Sequence, residues 1–328
     1  MGSGRFLLGK ALQAVLTLFF ILTFNFFLFR VITDDPVKLL TRTQGVELSE
    51  EQQQQLKEDL GLLKPLPQQF VGYLGDTLRG DLGISTFVAP GESVTSLLSG
   101  TLPKTLILVG TSTIASVTLG LVLGIYGGWK RGRALDMSSM TGSLVLYSMP
   151  EFVLGILLLL LFTKYLHLFP SGGYKSVQGN FTGVAYVVDV LNHMVLPWIT
   201  LTLAYIGEYY LVMRSSLLDV LGEDYITLAR AKGIREKFVL RRHAVRNALL
   251  PSVTLIALSF GFILGGAITV ELVFSYPGLG KLSFDALNQF DYPVLQGIFL
   301  VFSVAVLIAN LAADLLYGYL DPRVRTSR

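Results

Sequence analysis

The segment Asp224-Tyr-Ile-Thr-Leu-Ala-Arg-Ala-Lys-Gly233 is short and charged, and it lies between two long apolar stretches. A helix is predicted here because Glu223-Asp224 places acidic side chains at the N-terminus, where the helix dipole favours them. Gly233 suits the left-handed position just past a helix end. A second, basic helix is predicted from Arg235 to Arg246, leading into the next apolar stretch. The pattern therefore indicates two helices joined by a glycine turn.

The apolar stretches on either side are long enough to cross a membrane. A spanning helix needs about 20 mostly apolar residues, and six stretches meet that requirement. Four are free of charge, and the other two contain one carboxylate each, Glu151 and Glu208. The predicted spans are Ala11–Phe29, Thr105–Gly128, Met137–Thr163, Met194–Met213, Asn247–Val270 and Tyr292–Ala313.

The composition supports a membrane protein. Hydrophobic residues make up 52% of the 328 residues and charged residues 15%, against roughly 25% charged in soluble domains. This excludes a disordered chain, a nucleic-acid-binding domain and most soluble enzymes. The chain has no cysteine and three scattered histidines, so we expect no disulfide, thiolate metal site or zinc site, and no catalytic residue is predicted.

The distribution of basic residues predicts the orientation. With six spans, the segments 1–10, 129–136, 214–246 and 314–328 share one side and hold 16 Lys and Arg in 66 residues, while the opposite side holds 10 in 126. Short cytoplasmic loops are enriched in Lys and Arg. Both termini are therefore expected in the cytoplasm, and the segments counted on the opposite side, 30–104, 164–193 and 271–291, are expected outside.

The external segment 31–104 is too long for a simple connection and should contain structure of its own. Ser49-Glu-Glu-Gln52 has the form of a capping box and predicts a polar helix that stops near Gly61. Gln68–Leu78 has apolar side chains near one-face spacing, which predicts a second, amphipathic helix.

Several residues inside or near the spans are candidates for function or packing. Glu151 and Glu208 are costly to bury, which favours a role in a transport path; the competing interpretation is a hydrogen-bonded contact between helices. Glu271 is expected at the membrane interface. The small-residue spacing Gly120-Leu-Val-Leu-Gly124, continuing to Gly128, predicts close helix packing. Gly4–Ala11 nearly spells a phosphate-binding loop, but Ala11 replaces the required Ser or Thr and no strand precedes it, so any ATP should bind another chain.

The chain resembles the bacterial dipeptide/oligopeptide/nickel-type ABC importer permeases over nearly its whole length. The Asp224–Gly233 segment resembles the part of these permeases that couples to their ATPases, and other matches occur in the same order and spacing. They include Arg242-His-Ala-Val-Arg-Asn-Ala-Leu-Leu-Pro251, Arg79-Gly-Asp-Leu-Gly83-Ile-Ser85, Pro150-Glu-Phe-Val-Leu-Gly155 and Val270-Glu-Leu-Val-Phe-Ser-Tyr-Pro-Gly-Leu-Gly280.

The resemblance implies an all-α membrane protein with the type I ABC importer permease fold. It implies six transmembrane helices, a long external loop after the first and a cytoplasmic coupling helix between the fourth and fifth. Residues 1–30 would form the N-terminus and first span, 31–104 the external loop and 105–328 the five-helix core. We call 214–246 the coupling segment.

The resemblance also implies partners and sites. The partners would be a second, similar permease subunit, two ATPase subunits that hold ATP and magnesium, an external peptide-binding protein and the lipid of the bacterial inner membrane. Residues expected to couple to the ATPases are Asp224, Tyr225, Leu228, Ala229, Ala231, Lys232, Gly233 and Arg246, with Tyr225, Leu228 and Ala229 on the exposed face. Residues expected to dock the binding protein are Asp81, Gly83, Tyr276, Pro277 and Gly278.

Alternatives remain for cargo and mechanism. The general importer signature has Glu-Ala-Ala, whereas this chain has Thr227-Leu-Ala229, and nothing in the family pattern corresponds to Glu208. The cargo could be a di- or oligopeptide, a nickel chelate, glutathione or an oligosaccharide. A secondary transporter using Glu151 and Glu208 as ion carriers is the main rival, and a membrane-embedded enzyme ranks third.

Overall fold

The computed structural model describes residues 3–29, 49–59, 63–177, 179 and 181–320. In this part of the chain the regular structure is helical, and the β-structure is one isolated bridge between Ile84 and Ser93. We number the helices α1 Ser3–Phe27, α2 Glu50–Asp59, α3 Leu66–Leu78, α4 Val94–Trp129, α5 Ala134–Ser148, α6 Glu151–Leu159, α7 Gly183–Leu221, α8 Asp224–Ala231, α9 Glu236–Phe238, α10 Val245–Val273, α11 Leu279–Gln289 and α12 Tyr292–Leu320.

Four helices of the described chain are long and apolar enough to cross a membrane, and a bent pair would make a fifth span. The four segments are Leu8–Phe27, Val94–Trp129, Gly183–Leu221 and Tyr292–Leu311. The pair is Ala134–Ser148 with Glu151–Tyr165. The remaining predicted span, Asn247–Val270, lies within the 29-residue helix α10, and its membrane crossing stays a prediction.

Two helices extend well beyond their predicted spans. α4 begins at Val94, inside the segment 31–104 that the sequence analysis assigned to the external loop. α7 begins at Gly183 and continues to Leu221, past both ends of Met194–Met213. Hydropathy marks only the apolar part of a helix, which explains why the polar ends of both helices were missed.

The third predicted span is broken at Pro150. Proline disfavours the helical conformation of the residue before it, and Met149 is extended with φ −88° and ψ 127°. α5 therefore ends at Ser148, and α6 starts at Glu151 with a bend of 104° between the two halves. The predicted single span Met137–Thr163 is therefore two helices that meet at this bend.

In the described part of the chain, three clusters of buried apolar side chains hold the bundle together. One contains Val94, Leu98 and residues of α11 and α12; the second contains Leu108, Leu196 and Phe274. The third contains Met213 and Leu217 of α7, Ala248 of α10, and the coupling-segment residues between these helices, Ile226, Ala229, Val239 and Ala244. The coupling segment thus shares a core with α7 and α10.

The predicted close packing at Gly120 and Gly124 is confirmed. A Cβ atom added to Gly120 would lie 2.6 Å from Tyr209 Cβ, and one added to Gly124 would lie 2.8 Å from Met213 Cβ. Such distances leave no room for a side chain. α4 and α7 therefore approach backbone to backbone, and this is the most extensive helix contact in the described chain.

Both predicted loop helices are present. Ser49 Oγ accepts from Gln52 N at 3.3 Å, while Ser49 N donates to Gln52 Oε1 at 3.0 Å, which is the reciprocal pattern of a capping box. The polar helix is α2, whose expected end near Gly61 lies outside the described residues. The amphipathic helix is α3, and its Phe70 and Tyr73 pack on Phe26 of α1.

Candidate functional site

The coupling segment has the predicted helix–turn–helix form. α7 ends at Leu221 with Gly222 as its cap, and α8 runs from Asp224 to Ala231. Gly233 has φ 73°, the left-handed conformation that the sequence predicted. The chain then passes through α9 and a π-helical turn at Val239–Ala244 into α10.

The orientation of α8 differs from the predicted one at Ala229. Ile226 and Ala229 are buried, whereas Tyr225 and Leu228 are exposed. Residues three apart lie on the same face of a helix, so Ile226 and Ala229 together form the face that contacts α7 and α10. The expectation that Ala229 lies on the exposed face is therefore wrong, and a large residue at Ala229 would disturb the core of the segment.

The outer surface of α8 is held by polar contacts at its two ends. Asn247 Nδ2 of α10 donates to Tyr225 Oη at 3.0 Å, and Arg230 Nε donates to Glu236 Oε1 at 3.1 Å. The remaining predicted coupling residues, Asp224, Ala231, Lys232, Gly233 and Arg246, are all exposed. Leu228 is 56% exposed on this surface, which makes it an apolar contact point open to a partner.

A buried ion pair, which was not predicted from the sequence, anchors the coupling segment. Arg214 donates from Nε to Asp136 Oδ1 at 2.6 Å and from Nη2 to Oδ2 at 2.9 Å. Gly132 N and Tyr210 Oη donate to the same carboxylate. Asp136 lies in the first turn of α5 and Arg214 near the end of α7, so the pair ties the α4–α5 turn to the helix that leads into α8. Their separation of 78 residues gave no local signal.

Glu151 lies at the start of α6, where the chain breaks. Its Oε1 accepts from Tyr205 Oη at 2.7 Å, and its Oε2 accepts from Thr269 Oγ1 at 3.4 Å. The carboxylate therefore joins α6, α7 and α10 and remains partly exposed. Glu208 is also partly exposed, one turn along α7 from Tyr205. The two acids thus lie in the same part of the bundle. Glu151 makes the hydrogen-bonded contact between helices that was one of its two interpretations, and it is also partly exposed.

A second anchored region lies at the other end of the bundle. The buried carboxylate of Asp291 accepts from Ser85 Oγ at 2.6 Å and from the backbone N–H groups of Thr86, Phe87 and Val88 at 2.9–3.1 Å. These four donors fix the 83–93 loop against the α11–α12 junction. Asp81 supports the same loop by accepting from Gly83 N at 2.9 Å.

Glu271 is buried and caps the N-terminus of α11, and its predicted depth at the membrane interface stays a prediction. Its Oε1 accepts from Thr105 Oγ1 at 2.6 Å, and its Oε2 accepts from Lys281 N at 3.0 Å, at the N-terminus of α11. A Cβ on Gly278 would collide with this carboxylate, so the glycine allows the approach.

Tyr276 is buried beside this cap, and burial raises the pKa of its hydroxyl well above the ordinary value. Pro277 is partly exposed. Of the predicted docking residues, Tyr276 and Gly278 thus shape the loop from within, and Asp81 is on the surface.

The described residues contain no group of three or more His, Asp or Glu side chains placed to hold a metal ion. The buried polar groups instead connect helices at the two ends of the bundle and near its break.

Comparison with known proteins identifies the relatives of this chain. Residues 116–326 match the family model "Binding-protein-dependent transport system inner membrane component", and residues 4–108 match the model of the N-terminal part of such components.

Curated relatives match along nearly the whole chain. A probable peptide ABC transporter permease protein of Sinorhizobium fredii is 36% identical over 322 residues, covering 98% of this chain and 99% of the relative. The dipeptide transport system permease protein of Escherichia coli is 37% identical, covering 93% of each. The glutathione transport system permease protein of Escherichia coli is 35% identical, covering 98% and 99%.

A solved structure has the same fold. An inward-facing conformation of the MetNI methionine ABC transporter matches with a TM-score of 0.52 at 17% identity, covering 69% of this chain and 96% of the matched chain.

Proposed function

Because the chain belongs to the family of binding-protein-dependent transport system inner-membrane components, we propose that it is the permease subunit of an ATP-driven importer that translocates di- or oligopeptides. The coupling segment carries this proposal. It presents an exposed helix, α8, while its inner face is part of the same core as α7 and α10. A force applied to α8 from the cytoplasm would therefore reach the spans directly.

The proposed complex contains a second, similar permease subunit, two ATPase subunits and an external peptide-binding protein. ATP and magnesium are held by the ATPases, and this chain contributes no nucleotide site. The chain crosses the bacterial inner membrane several times with both termini in the cytoplasm. Closure of the ATPase pair moves α8, and rigid-body rotation of the helices alternates access to the path.

Glu151 and Glu208 are proposed to line the substrate path. Both are partly exposed near the break at Pro150, where the chain leaves its helical conformation. A carboxylate inside a membrane is costly unless it has a function or a partner. Their negative charge suits the amino terminus of a peptide.

The binding protein is proposed to dock on the 83–93 loop and the outer face of α11. Asp291 and Glu271 fix these two elements in place, and Phe284 and Leu287 of α11 remain 45% and 59% exposed. Changing both to serine should abolish stimulation of ATP hydrolysis by loaded binding protein and leave the basal rate of the complex intact.

The cargo class rests on relatives whose names include peptide, dipeptide and glutathione transport. Glutathione is itself a tripeptide, so a peptide backbone is common to all three. A nickel chelate or an oligosaccharide is the alternative cargo.

The test of the proposal is Leu228→Ala in the reconstituted complex. Removal of the exposed apolar side chain of α8 should weaken retention of the ATPase subunits during purification. Leu191→Ala is the matched control, because Leu191 is 48% exposed near the other end of α7. Unchanged retention in Leu228→Ala, equal to that of the control, would contradict a docking role for α8.

A further inference from the structure

A basic groove lies between the α4–α5 turn and the coupling segment. It is an open cavity of about 380 Å³. The charged residues that line it are Lys130, Arg131, Arg133, Arg230 and Glu236. With four cations and one carboxylate, the basic groove has a net charge of +3 at neutral pH.

Within the described part of the chain, the cations of the α4–α5 turn form no ion pair. Arg230 pairs with Glu236 at 3.1 Å. No ion pair involves Lys130, Arg131 or Arg133 among the residues that the structure describes. The nearby carboxylate of Asp136 is already engaged by Arg214 and Gly132. Three neighbouring cations in an open cavity favour an anionic ligand.

The position of the basic groove indicates where that ligand comes from. Its wall is a turn of four residues between α4 and α5, and a turn this short between two spans must lie at the membrane surface. Trp129, the last residue of α4, lines the cavity and has the guanidinium of Arg230 at 6.0 Å from its ring centre. Tryptophan is enriched at the depth of lipid headgroups.

Exposed apolar side chains lie on the helical turns that flank the α4–α5 turn. Tyr126, Leu135 and Met137 are 44%, 59% and 64% exposed there. A lipid whose headgroup entered the basic groove could lay its acyl chains along this surface. Free phosphate has no acyl chain and would make no contact with this apolar surface.

We propose that the basic groove binds the phosphate headgroup of an anionic phospholipid of the cytoplasmic leaflet. Basic pockets on the cytoplasmic side of membrane proteins favour such headgroups. The bound lipid would connect the α4–α5 turn to Arg230 of α8. The proposal rests on the proposed membrane topology and is independent of the transported cargo.

The test uses the fluorescence of Trp129. The chain contains two tryptophans, so Trp198→Phe leaves Trp129 as the single fluorophore of the full chain. Phosphatidylglycerol brominated on its acyl chains should quench this fluorescence at a lower mole fraction than brominated phosphatidylcholine. Equal quenching by the two lipids would contradict the proposal.

A second experiment removes the charges of the basic groove. In Lys130→Gln/Arg131→Gln/Arg133→Gln, the preference for phosphatidylglycerol should fall by about fivefold for each charge removed. The matched control is Lys237→Gln/Arg241→Gln/Arg242→Gln, which removes three exposed cations outside the groove and should retain the preference. An equal loss in both variants would show general surface attraction and overturn a specific site.

Two further experiments distinguish a lipid headgroup from a soluble anion and from an ATPase contact. Inorganic phosphate added at the same ionic strength as a chloride control should leave the quenching unchanged; relief by phosphate would assign the basic groove to a soluble anion. Addition of the ATPase subunits should also preserve the lipid preference. If they abolish it, and the triple variant no longer retains them, the groove is an ATPase contact and the lipid proposal is wrong.

Discussion

At the scale of single residues, the ion pair between Asp136 and Arg214 is the one in the described chain whose loss should cost the most stability. Asp136 is buried and receives four hydrogen bonds from Arg214, Gly132 and Tyr210. Removing one partner of a buried ion pair leaves the other charge uncompensated, which costs about 3–5 kcal/mol. The pair is therefore expected to hold the α4–α5 turn on α7.

Asp136→Asn should lower the thermal unfolding midpoint of the purified chain markedly, because Arg214 would keep its charge without a carboxylate. Asp285→Asn is the control, since Asp285 pairs with Lys281 at 2.7 Å at a partly exposed position. Surface pairs contribute about 0–1 kcal/mol, so this variant should unfold close to the wild type. Equal midpoints for both variants would contradict the structural role of the buried pair.

At the scale of secondary structure, the local features of single helices and turns could be predicted from the sequence. The capping box of α2 and the left-handed Gly233 depend on neighbouring residues, and both are confirmed. The buried face of α8 was predicted wrongly at Ala229, because that face is set by where α7 and α10 lie. Hydropathy marked Met137–Thr163 as one span and could not give the 104° bend at Pro150.

The turn after α8 gives a prediction for coupling. A Cβ on Gly233 would meet no atom within 4 Å, so the cost of a substitution is conformational. The left-handed backbone costs about 1–2 kcal/mol for an ordinary L-residue, and Asn tolerates it better. Gly233→Val should insert and pair with the second permease subunit but lose stimulation of ATP hydrolysis by loaded binding protein, whereas Gly233→Asn should keep most of it. Full stimulation in the valine variant would contradict the need for this turn.

The contact between α4 and α7 gives a matched pair of substitutions. Gly124→Ala should destabilise the chain by about 1–3 kcal/mol, because the new methyl group meets Met213 and the backbone of Tyr210 within 2.8 Å. Gly110→Ala on the same helix meets nothing within 4 Å and should stabilise it by up to about 1 kcal/mol through helix propensity. Denaturation of the two variants in the same detergent compares them; the same sign of change in both would contradict the close-packing account.

At the scale of the whole molecule, hydropathy located the apolar helices, and family motifs located the coupling segment. The long-range contacts were not accessible in this way. Asp291 with Ser85 and Glu271 with Thr105 join residues 206 and 166 positions apart, and neither contact was predicted. Periodicity and motifs describe single elements, whereas these pairs depend on how the elements are assembled.

The predicted orientation follows from the excess of basic residues in 129–136 and 214–246. Because the chain lacks cysteine, single replacements Gln53→Cys and Glu236→Cys can be labelled without background. A membrane-impermeant maleimide applied to intact spheroplasts should label position 53 and leave position 236 unlabelled until the membrane is opened. Labelling of both positions from outside would overturn the orientation.

The central claim is that ATP hydrolysis on partner subunits drives peptide through this chain, and uptake in proteoliposomes tests it most directly. Vesicles containing both permease subunits and both ATPases should accumulate labelled peptide only with ATP inside and loaded binding protein outside. A proton gradient alone should drive no uptake. Accumulation driven by that gradient without ATP, and lost in Glu151→Gln or Glu208→Gln, would contradict the account and assign the chain to the ion-coupled transporters.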